Sequence, residues 1–349
     1  MAYLFAIVGL SFLIIVHELG HMMIARLSGM RVQTFSVGFG PVLLRWRGRR
    51  TAYQLALIPL GGFVQIVGMN PHEEIAADDP GSYANKSALA RIGTIVAGPL
   101  TNYLTASVLM IAITLAWGAP RREHAVGQVA KGTPAAAVGL KPGDRIEAVD
   151  GKPTPTIDEL VGRIQSSRGR TMQLRVRRDG KLVPMEVAAK KDGESYRLGF
   201  QFAYQLGFTD VEPGRAVLAG LYYPIEESRR ALASLGQVLG KLFKGDVSDA
   251  KQMGGVVEIV YQLSQSFRES IPLALLFLAM LSAYLGLFNL LPVPALDGGR
   301  LLFLFSSILL RRPINQKLEH TVHTVGFLIL IGLILMVTYC DVARRVVGP

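Results

Sequence analysis

The chain has 349 residues, half of them hydrophobic, and a mean hydropathy of +0.35. This apolar balance excludes an ordinary soluble protein and predicts a membrane protein with several spans and one modest soluble domain. The net charge of +11 does not indicate nucleic-acid binding, because Lys and Arg also collect beside anionic lipid. We therefore expect membrane lipids, and no nucleic acid, as partners. The single cysteine, Cys340, excludes an internal disulfide framework.

Four apolar segments occur along the chain, at about residues 3–25, 92–118, 271–296 and 324–340. A helix needs roughly 20 apolar residues to cross a bilayer, so we expect four transmembrane helices, the last of marginal length. No Lys or Arg precedes the first segment, which argues against a normal signal peptide.

The basic residues predict an orientation. Arg26 is the first of them and follows the first segment, and the next loop carries five more arginines between residues 31 and 50. The positive-inside rule then places the N-terminus outside and this loop in the cytoplasm. Residues from roughly 119 to 270 would lie outside. Arg344 and Arg345 oppose the outward placement of the C-terminus.

Residues 32–68 alternate apolar with small or polar side chains around glycines, as in Gly38-Phe39-Gly40. This pattern predicts β-strands and turns. The strands are too apolar for a free cytoplasmic loop. They either re-enter the membrane, where protein or water satisfies the backbone, or form an amphipathic sheet on its surface.

Residues 126–190 have the composition of a soluble α+β domain, with strands predicted at 126–129 and 172–178 and a helix near 157–166. The element order and the run GTPAAAVGLKPGDRIEAVDGKP resemble a circularly permuted PDZ domain of bacterial membrane and periplasmic proteases. Such a domain can bind an extended peptide by strand addition. A spacer that only blocks access is the alternative.

Residues 213–267 show helical periodicity of apolar residues, with lysines in the later part. They predict amphipathic helices, which lie either at the outer membrane face or against the soluble domain.

The first apolar segment contains three ionisable residues, His17, Glu18 and His21. Histidines four positions apart lie on one face of a helix, where both imidazoles can bind the same Zn²⁺. In zinc proteases a Glu after the first His activates the attacking water. The motif is weak in a soluble protein, but ionisable residues inside a span are costly and usually functional. An interhelical hydrogen-bond cluster is the structural alternative.

Zinc that keeps one position for water needs a third protein ligand, and Asp297 is the best candidate. It follows the third segment in the run NLLPVPALDGG, whose prolines should break the helix. Irregular backbone at membrane depth implies a buried or water-lined site. Segments one and three run in the same direction, so His17, His21 and Asp297 could meet at similar depth. Taken alone, Asp297 could instead cap a helix end.

Other polar residues are weaker candidates. We expect His320 and His323 to face the lipid headgroups, and the loop residues 72–74 have no matching ligand set. Asn102, inside the second segment, either holds helices together or lines the site.

The motifs HELGH, AGPLTN, GDVSDAKQMGGVVEI and NLLPVPALDGG, with the PDZ-like run between them, occur in this order in bacterial site-2 proteases. The chain resembles these RseP-like intramembrane metalloproteases of peptidase family M50 over essentially its whole length. The resemblance implies that His17, His21 and Asp297 bind Zn²⁺ and that Glu18 is the catalytic base. It also implies a substrate-binding region that includes Asn289, Pro292, Pro294, the Gly38-Phe39-Gly40 segment of a reentrant sheet, and Asn102 as a lining candidate.

The resemblance further implies regulated intramembrane proteolysis in the bacterial cytoplasmic (inner) membrane. Substrates would be transmembrane proteins or peptides with a single span, such as pre-trimmed anti-sigma factors or remnant signal peptides. Two features depart from well-known members. Some members carry two PDZ domains, where this chain has one, and some have Asn where this chain has Tyr284.

The predicted fold is a polytopic α-helical membrane protein with four transmembrane helices, a membrane-reentrant β-sheet and one soluble α+β PDZ domain. Residues 1–120 would hold the first two helices and the β region, 121–205 the PDZ domain, 206–270 the extracytoplasmic helical segment, and 271–349 the last two helices. A metal transporter or a PDZ-bearing scaffold are the competing functions. A transporter should show more spans or repeated halves, and a scaffold needs no zinc ligands.

Overall fold

The computed structural model describes residues 1–69, 73, 76, 78–193, 195–244, 254–312 and 316–347. His72 and Glu74, and residues 245–253 of the GDVSDAKQMGGVVEI run, lie outside the described residues. The chain divides into two compact units. One comprises Met1–Ala116 with Val211–Pro349, and the other is Trp117–Asp210.

The first unit is mainly helical, with one β-hairpin. Its helices are α1 (Ala2–Leu27), α2 (Ala88–Trp117), α5 (Pro213–Phe243), α6 (Val256–Glu269), α7 (Ile271–Leu290), α8 (Asp297–Leu309) and α9 (Gln316–Val347). The hairpin consists of β1 (Val32–Arg47) and β2 (Ala52–Ile66). Among the described residues, four helices are long and apolar enough to cross a membrane, namely α1, α2, α7 and the part of α9 at Lys317–Asp341.

Two of the predicted apolar segments differ in length from these helices. The expectation of a marginal fourth span is wrong, because the helix extends through polar residues at its start and offers 25 residues. The third segment ends as a helix at Leu290 instead of residue 296. Pro292 and Pro294 lack the backbone N–H that a continuing helix requires.

The hairpin is strongly bent within β2. Residues 34–37 of β1 pair with residues 52–55 of β2 on one side and with residues 62–65 on the other. Pro59 and Gly61, whose φ is +142°, lie between these two parts of β2. The segment Gly62–Gln65 is therefore an edge strand, with one side paired and the other side unpaired within the sheet.

Polar contacts attach the hairpin to α1. Ser11 donates a hydrogen bond to the carbonyl oxygen of Pro59 at 2.6 Å. Arg26 donates to Thr51, which in turn donates to the carbonyl of Val32, both at 2.8 Å. A buried apolar cluster of Met22, Ala25, Met30, Val32, Phe35 and Ile66 fills the space between them.

Three helices of the second half of the chain contact α1 or α2: Tyr103 of α2 lies 2.8 Å from Ser228 of α5, and α1, α6 and α7 share a buried apolar cluster. Ser270 caps α7 by accepting from the Leu273 amide at 3.3 Å. The carboxylate of Asp341, near the end of α9, accepts from the Gly255 amide at 2.7 Å, at the start of α6. The predicted amphipathic helices thus correspond to α5 and α6 in the described residues.

The second unit contains β3 (Ala119–Val129), β4 (Arg145–Val149), β5 (Lys152–Pro153), β6 (Thr171–Arg178), β7 (Lys181–Ala188), β8 (Lys190–Asp192), β9 (Ser195–Arg197) and β10 (Phe200–Thr209), with helices α3 (Pro134–Ala137) and α4 (Ile157–Ser166). A four-stranded sheet has the order β5-β4-β6-β7, and β10 pairs with β3. The core lies between these sheets and α4, where Leu160, Ile164, Met172, Leu174 and Val176 are buried. Thr156 caps α4 by accepting from the Glu159 amide.

Candidate metal and catalytic site

Three side chains from α1 and α8 converge at one point in the first unit. The Nε2 atoms of His17 and His21 are 3.2 Å apart, and they lie 3.1 and 3.2 Å from Oδ2 of Asp297. Both histidines are buried, at 6% and 5% exposure. These three residues therefore lie together in space, at the similar depth that the parallel direction of segments one and three predicts.

The separations fit a metal ion. Two donors that bind one tetrahedral zinc ion at 2.0–2.1 Å are about 3.3–3.4 Å apart. Nδ1 of His21 lies 2.8 Å from the carbonyl oxygen of Thr94 on α2, which can only accept. In neutral His21 the proton therefore sits on Nδ1, and Nε2 presents a lone pair to the carboxylate. Oδ2 of Asp297 and Nε2 of His21 are thus two acceptors, and Nε2 of His17 is a third when its proton lies on Nδ1; a cation between the three atoms satisfies all of them.

A glycine on α2 makes room for both imidazoles. A Cβ on Gly98 would lie 2.3 Å from Nε2 of His21 and 2.9 Å from Cε1 of His17. Gly20 has the corresponding role on α1, since its Cβ would lie 2.4 Å from the carbonyl oxygen of Ala97. Glycines at these positions let α1 and α2 approach closely.

The loop before Asp297 is held in place by α9. Ala295 has a left-handed backbone with φ of +74°, and its amide donates a hydrogen bond to Nδ1 of His323 at 3.0 Å. His323, which we expect to face the lipid headgroups, thus also contacts this loop through Nδ1. A Cβ on Gly298 would lie 2.1 Å from the carbonyl oxygen of Leu291, so this loop folds tightly onto the start of α8.

The three ligand candidates and Glu18 line a cavity of about 310 Å³. Residues of β2 form its opposite wall, including Phe63, Val64 and Ile66. The backbone of β2 is close to Glu18, because a Cβ on Gly62 would lie 3.5 Å from Cγ of Glu18. A carboxylate, a potential metal site and an edge strand therefore share one cavity.

The other predicted substrate-binding residues have varied positions. Asn289 lines the cavity and donates to the Leu285 carbonyl at 3.0 Å. Pro292 and Pro294 lie in the loop before Asp297 and do not line the cavity. Residues 38–40 belong to β1, whereas β2 supplies the cavity wall. Asn102 is fully buried; its carbonyl accepts from Ser282 on α7 at 2.8 Å.

Several residues around the site escaped the sequence analysis. Thr94 contributes through its backbone carbonyl, which has no signature in sequence. Arg300, which lines the cavity, lies three positions after Asp297 on α8. The i, i+3 spacing on a helix could have revealed it. The role of His323 required knowing that α9 folds back on the loop.

Comparison with known proteins agrees with this donor set. The family model described as "Peptidase family M50" matches residues 5–333. Similar proteins, named as candidate zinc metalloproteases, occur in three bacteria. The relative in Clostridium perfringens is 32% identical over 98% of both chains. Those in Clostridium acetobutylicum and Campylobacter jejuni are 31% and 32% identical, over 97% and 98% of this chain and 96% and 93% of theirs.

Two independent lines thus agree, since the family match extends over nearly the whole chain and the three donors of α1 and α8 suit zinc. This protein belongs to peptidase family M50 and is a zinc metalloprotease.

Proposed function

We propose that this protease cleaves membrane-embedded segments of single-span proteins inside the bilayer, with Glu18 as its catalytic base. The observation that carries the proposal is the position of the site within α1. His17 comes about 22 Å after the start of this helix, at 1.5 Å per residue, and α1 has the length and hydropathy of a membrane span. A substrate that is itself embedded in the membrane lies at the depth of this site.

In the proposed reaction, His17, His21 and Asp297 hold the zinc ion. Zinc bound there supplies a Lewis acid that polarises the scissile carbonyl and acidifies water. The Glu18 carboxylate accepts a proton from the attacking water and then gives it to the leaving amine. Asn289 lines the same cavity and can donate a hydrogen bond to the substrate backbone.

The edge strand Gly62–Gln65 is proposed to hold the substrate extended. A helical substrate hides its carbonyls in i→i−4 hydrogen bonds, so it must unwind before cleavage. An edge strand offers unpaired N–H and C=O groups to an extended chain. Because Phe63 and Val64 line the cavity with Glu18, a strand added here would pass the site. In this proposal the substrate pairs with β2, and the Gly38-Phe39-Gly40 segment of β1 lies beside β2.

Membrane re-entry of the hairpin is supported by its contacts and surface. Ser11, which binds the Pro59 carbonyl, lies well inside the apolar helix α1. The hairpin also exposes large apolar side chains, which a sheet in contact with water would normally turn towards its own core. Those exposed by 41–62% are Val42, Leu43, Leu44, Trp46, Leu57 and Ile58.

The second unit is proposed to be a PDZ domain that binds an extended peptide. A cavity of about 590 Å³ lies between α4 and the start of β10, lined by Ile164, Gln165 and residues 195–202. Gly199 has φ of +87° in this segment. Since β10 pairs only with β3 in the described residues, its other edge is available for strand addition. A spacer without a ligand remains the alternative, and peptide binding by this unit separates the two.

The proposed setting is the bacterial cytoplasmic membrane, with the second unit outside. The arginines between residues 26 and 50 support this orientation through the positive-inside rule. Pre-trimmed anti-sigma factors and remnant signal peptides are the proposed substrates, because their single spans lack a bulky ectodomain.

Glu18→Gln tests the proposal in the purified full chain. We expect this variant to retain zinc but to cleave a single-span substrate at least 100-fold more slowly, since a general base contributes 10²–10⁴-fold. Glu269→Gln makes the same chemical change at an exposed residue and should cleave normally. A zinc chelator should stop cleavage by the unaltered protein. Normal cleavage by Glu18→Gln would refute the assigned role.

A further inference from the structure

A second cavity of the first unit is strongly basic. It has a volume of about 460 Å³ and lies between the start of α2, one face of α8 with the residues that follow it, and the first turns of α9. Arg91, Arg300, Arg311 and Arg312 line it, and among the described residues Glu319 is the one acidic side chain in the lining. With neutral histidines, the described lining therefore carries four positive charges and one negative charge.

None of these four arginines forms an ion pair with another residue that the structure describes. Some other arginines do form ion pairs: Arg177 binds Glu147 and Arg178 binds Asp144, both at 2.5 Å. The Nε atom of Arg91 is buried without a hydrogen-bond partner in the described residues. Clustered guanidinium groups repel one another, so their convergence on a cavity favours an anionic ligand.

A histidine adds a second unpartnered donor. Nδ1 of His323 accepts from the Ala295 amide, so the neutral ring carries its proton on Nε2. That Nε2 is buried and has no partner in the described residues, and His323 lines this cavity. The cavity thus combines guanidinium and imidazole donors, a set that suits the oxygens of a phosphate group.

The remaining walls are apolar. Phe303, Leu304 and Ile308 line the cavity, and the outer face of α8 exposes Leu302, Phe305 and Leu309 by 49–84%. An amphipathic helix with such a face lies at a membrane surface, with its apolar side against acyl chains. A phosphate group with an attached acyl region would complement both parts of this surface.

We propose that this basic cavity binds a phosphate group, supplied by the headgroup of an anionic phospholipid. Basic pockets between membrane helices are suited to such headgroups. Arg300 lines both this cavity and the active-site cavity, so an occupied site would lie beside the catalytic centre. The site does not depend on the proposed substrate class.

The test measures lipid retention by the full chain, purified in a non-ionic detergent, with native mass spectrometry. The probes are phosphatidylglycerol, zwitterionic phosphatidylcholine and inorganic phosphate. The test variant is Arg311→Gln with Arg312→Gln. The matched control is Arg49→Gln with Arg50→Gln, an exposed neighbouring pair outside the cavity. It removes the same total charge.

We expect the unaltered protein and the control to retain one phosphatidylglycerol in preference to phosphatidylcholine. The test variant should bind phosphatidylglycerol at least tenfold more weakly, and Arg311→Lys with Arg312→Lys should restore most of this binding. Retained zinc and a monodisperse elution profile establish that a variant is folded. If the double variant is not folded, Arg311→Gln alone should still weaken binding at least threefold.

Three results would overturn the proposal. Equal retention of the two lipids would mean that no anionic site exists. Equal weakening in the test and control variants would indicate diffuse surface attraction. Complete displacement of phosphatidylglycerol by millimolar inorganic phosphate would identify free phosphate as the ligand instead of lipid.

Discussion

Nε2 of His17 lies 3.1 Å from Oδ2 of Asp297, although 280 positions separate these residues in the sequence. The contact joins the first apolar helix to the start of α8. It adds a half-buried carboxylate to the two buried histidines of α1, which could not form the set of three donors alone.

Replacing Asp297 by Asn should weaken zinc binding by more than about 100-fold. The variant loses the only negative charge among the three donors. Mutation of a residue that merely hydrogen-bonds to a metal ligand already lowers metal affinity 10–100-fold. Competition with a chromophoric chelator measures the change. Asp179→Asn, at an exposed turn of the second unit, is the control and should leave the affinity unaltered. Equal affinities in the two variants would remove Asp297 from the ligand set.

Gly98→Ala should displace the imidazoles and lower zinc occupancy at least tenfold. Its Cβ would come within 2.3 Å of Nε2 of His21, a distance that forces a rearrangement. Gly93→Ala on the same helix is the matched control, because its Cβ has its nearest neighbour at 3.6 Å. Metal analysis of both purified variants checks the prediction. A Gly98→Ala protein with full zinc content would mean that α2 can move away without cost.

His323→Ala should loosen the loop that carries Asp297. The amide of half-buried Ala295 then loses its acceptor, which costs about 1 kcal/mol. We expect zinc affinity to fall about tenfold, as for other residues that orient a ligand. His320→Ala, at an exposed position one turn earlier on α9, should not change it. If both variants bind zinc equally well, the hydrogen bond does not position Asp297.

The ion pair of Asp144 and Arg178 should stabilise the second unit. Burial alone would raise the pKa of Asp144, but hydrogen bonds from Arg178 and from the Lys141 amide outweigh it and lower the pKa. The stabilisation is therefore present above the unfolded-state pKa of about 3.9 and is lost as the pH falls through the lower folded-state value. Asp144→Asn should cost about 2–3 kcal/mol at pH 7.

Pulse proteolysis of the full chain in urea, followed at cleavage sites of the second unit, measures this cost. Asp192→Asn removes one partner of a largely exposed pair with Arg197. It should cost less than about 1 kcal/mol. Similar losses in the two variants would show that burial of Asp144 adds nothing to its ion pair.

Much of the chemistry followed from local patterns. The i, i+4 spacing of His17 and His21 fixes both side chains on one helix face, whatever the rest of the chain does. The helix at 157–166 was predicted with its observed bounds, since a Thr cap and amphipathic periodicity are both local signals. The prolines after Leu290 likewise predicted the break before Asp297, because they cannot donate a helical hydrogen bond.

Tertiary structure decided what depends on contacts between distant segments. The sequence determined the residue types of the candidate zinc site and the apolar helices around it. Only the folded chain showed that Thr94 orients His21, that His323 holds the loop of Asp297, and that β2 bends into an edge strand beside Glu18. A backbone carbonyl or a paired strand has no side-chain signature. Such contacts arise from the packing of whole helices, which the periodicity of one segment does not encode.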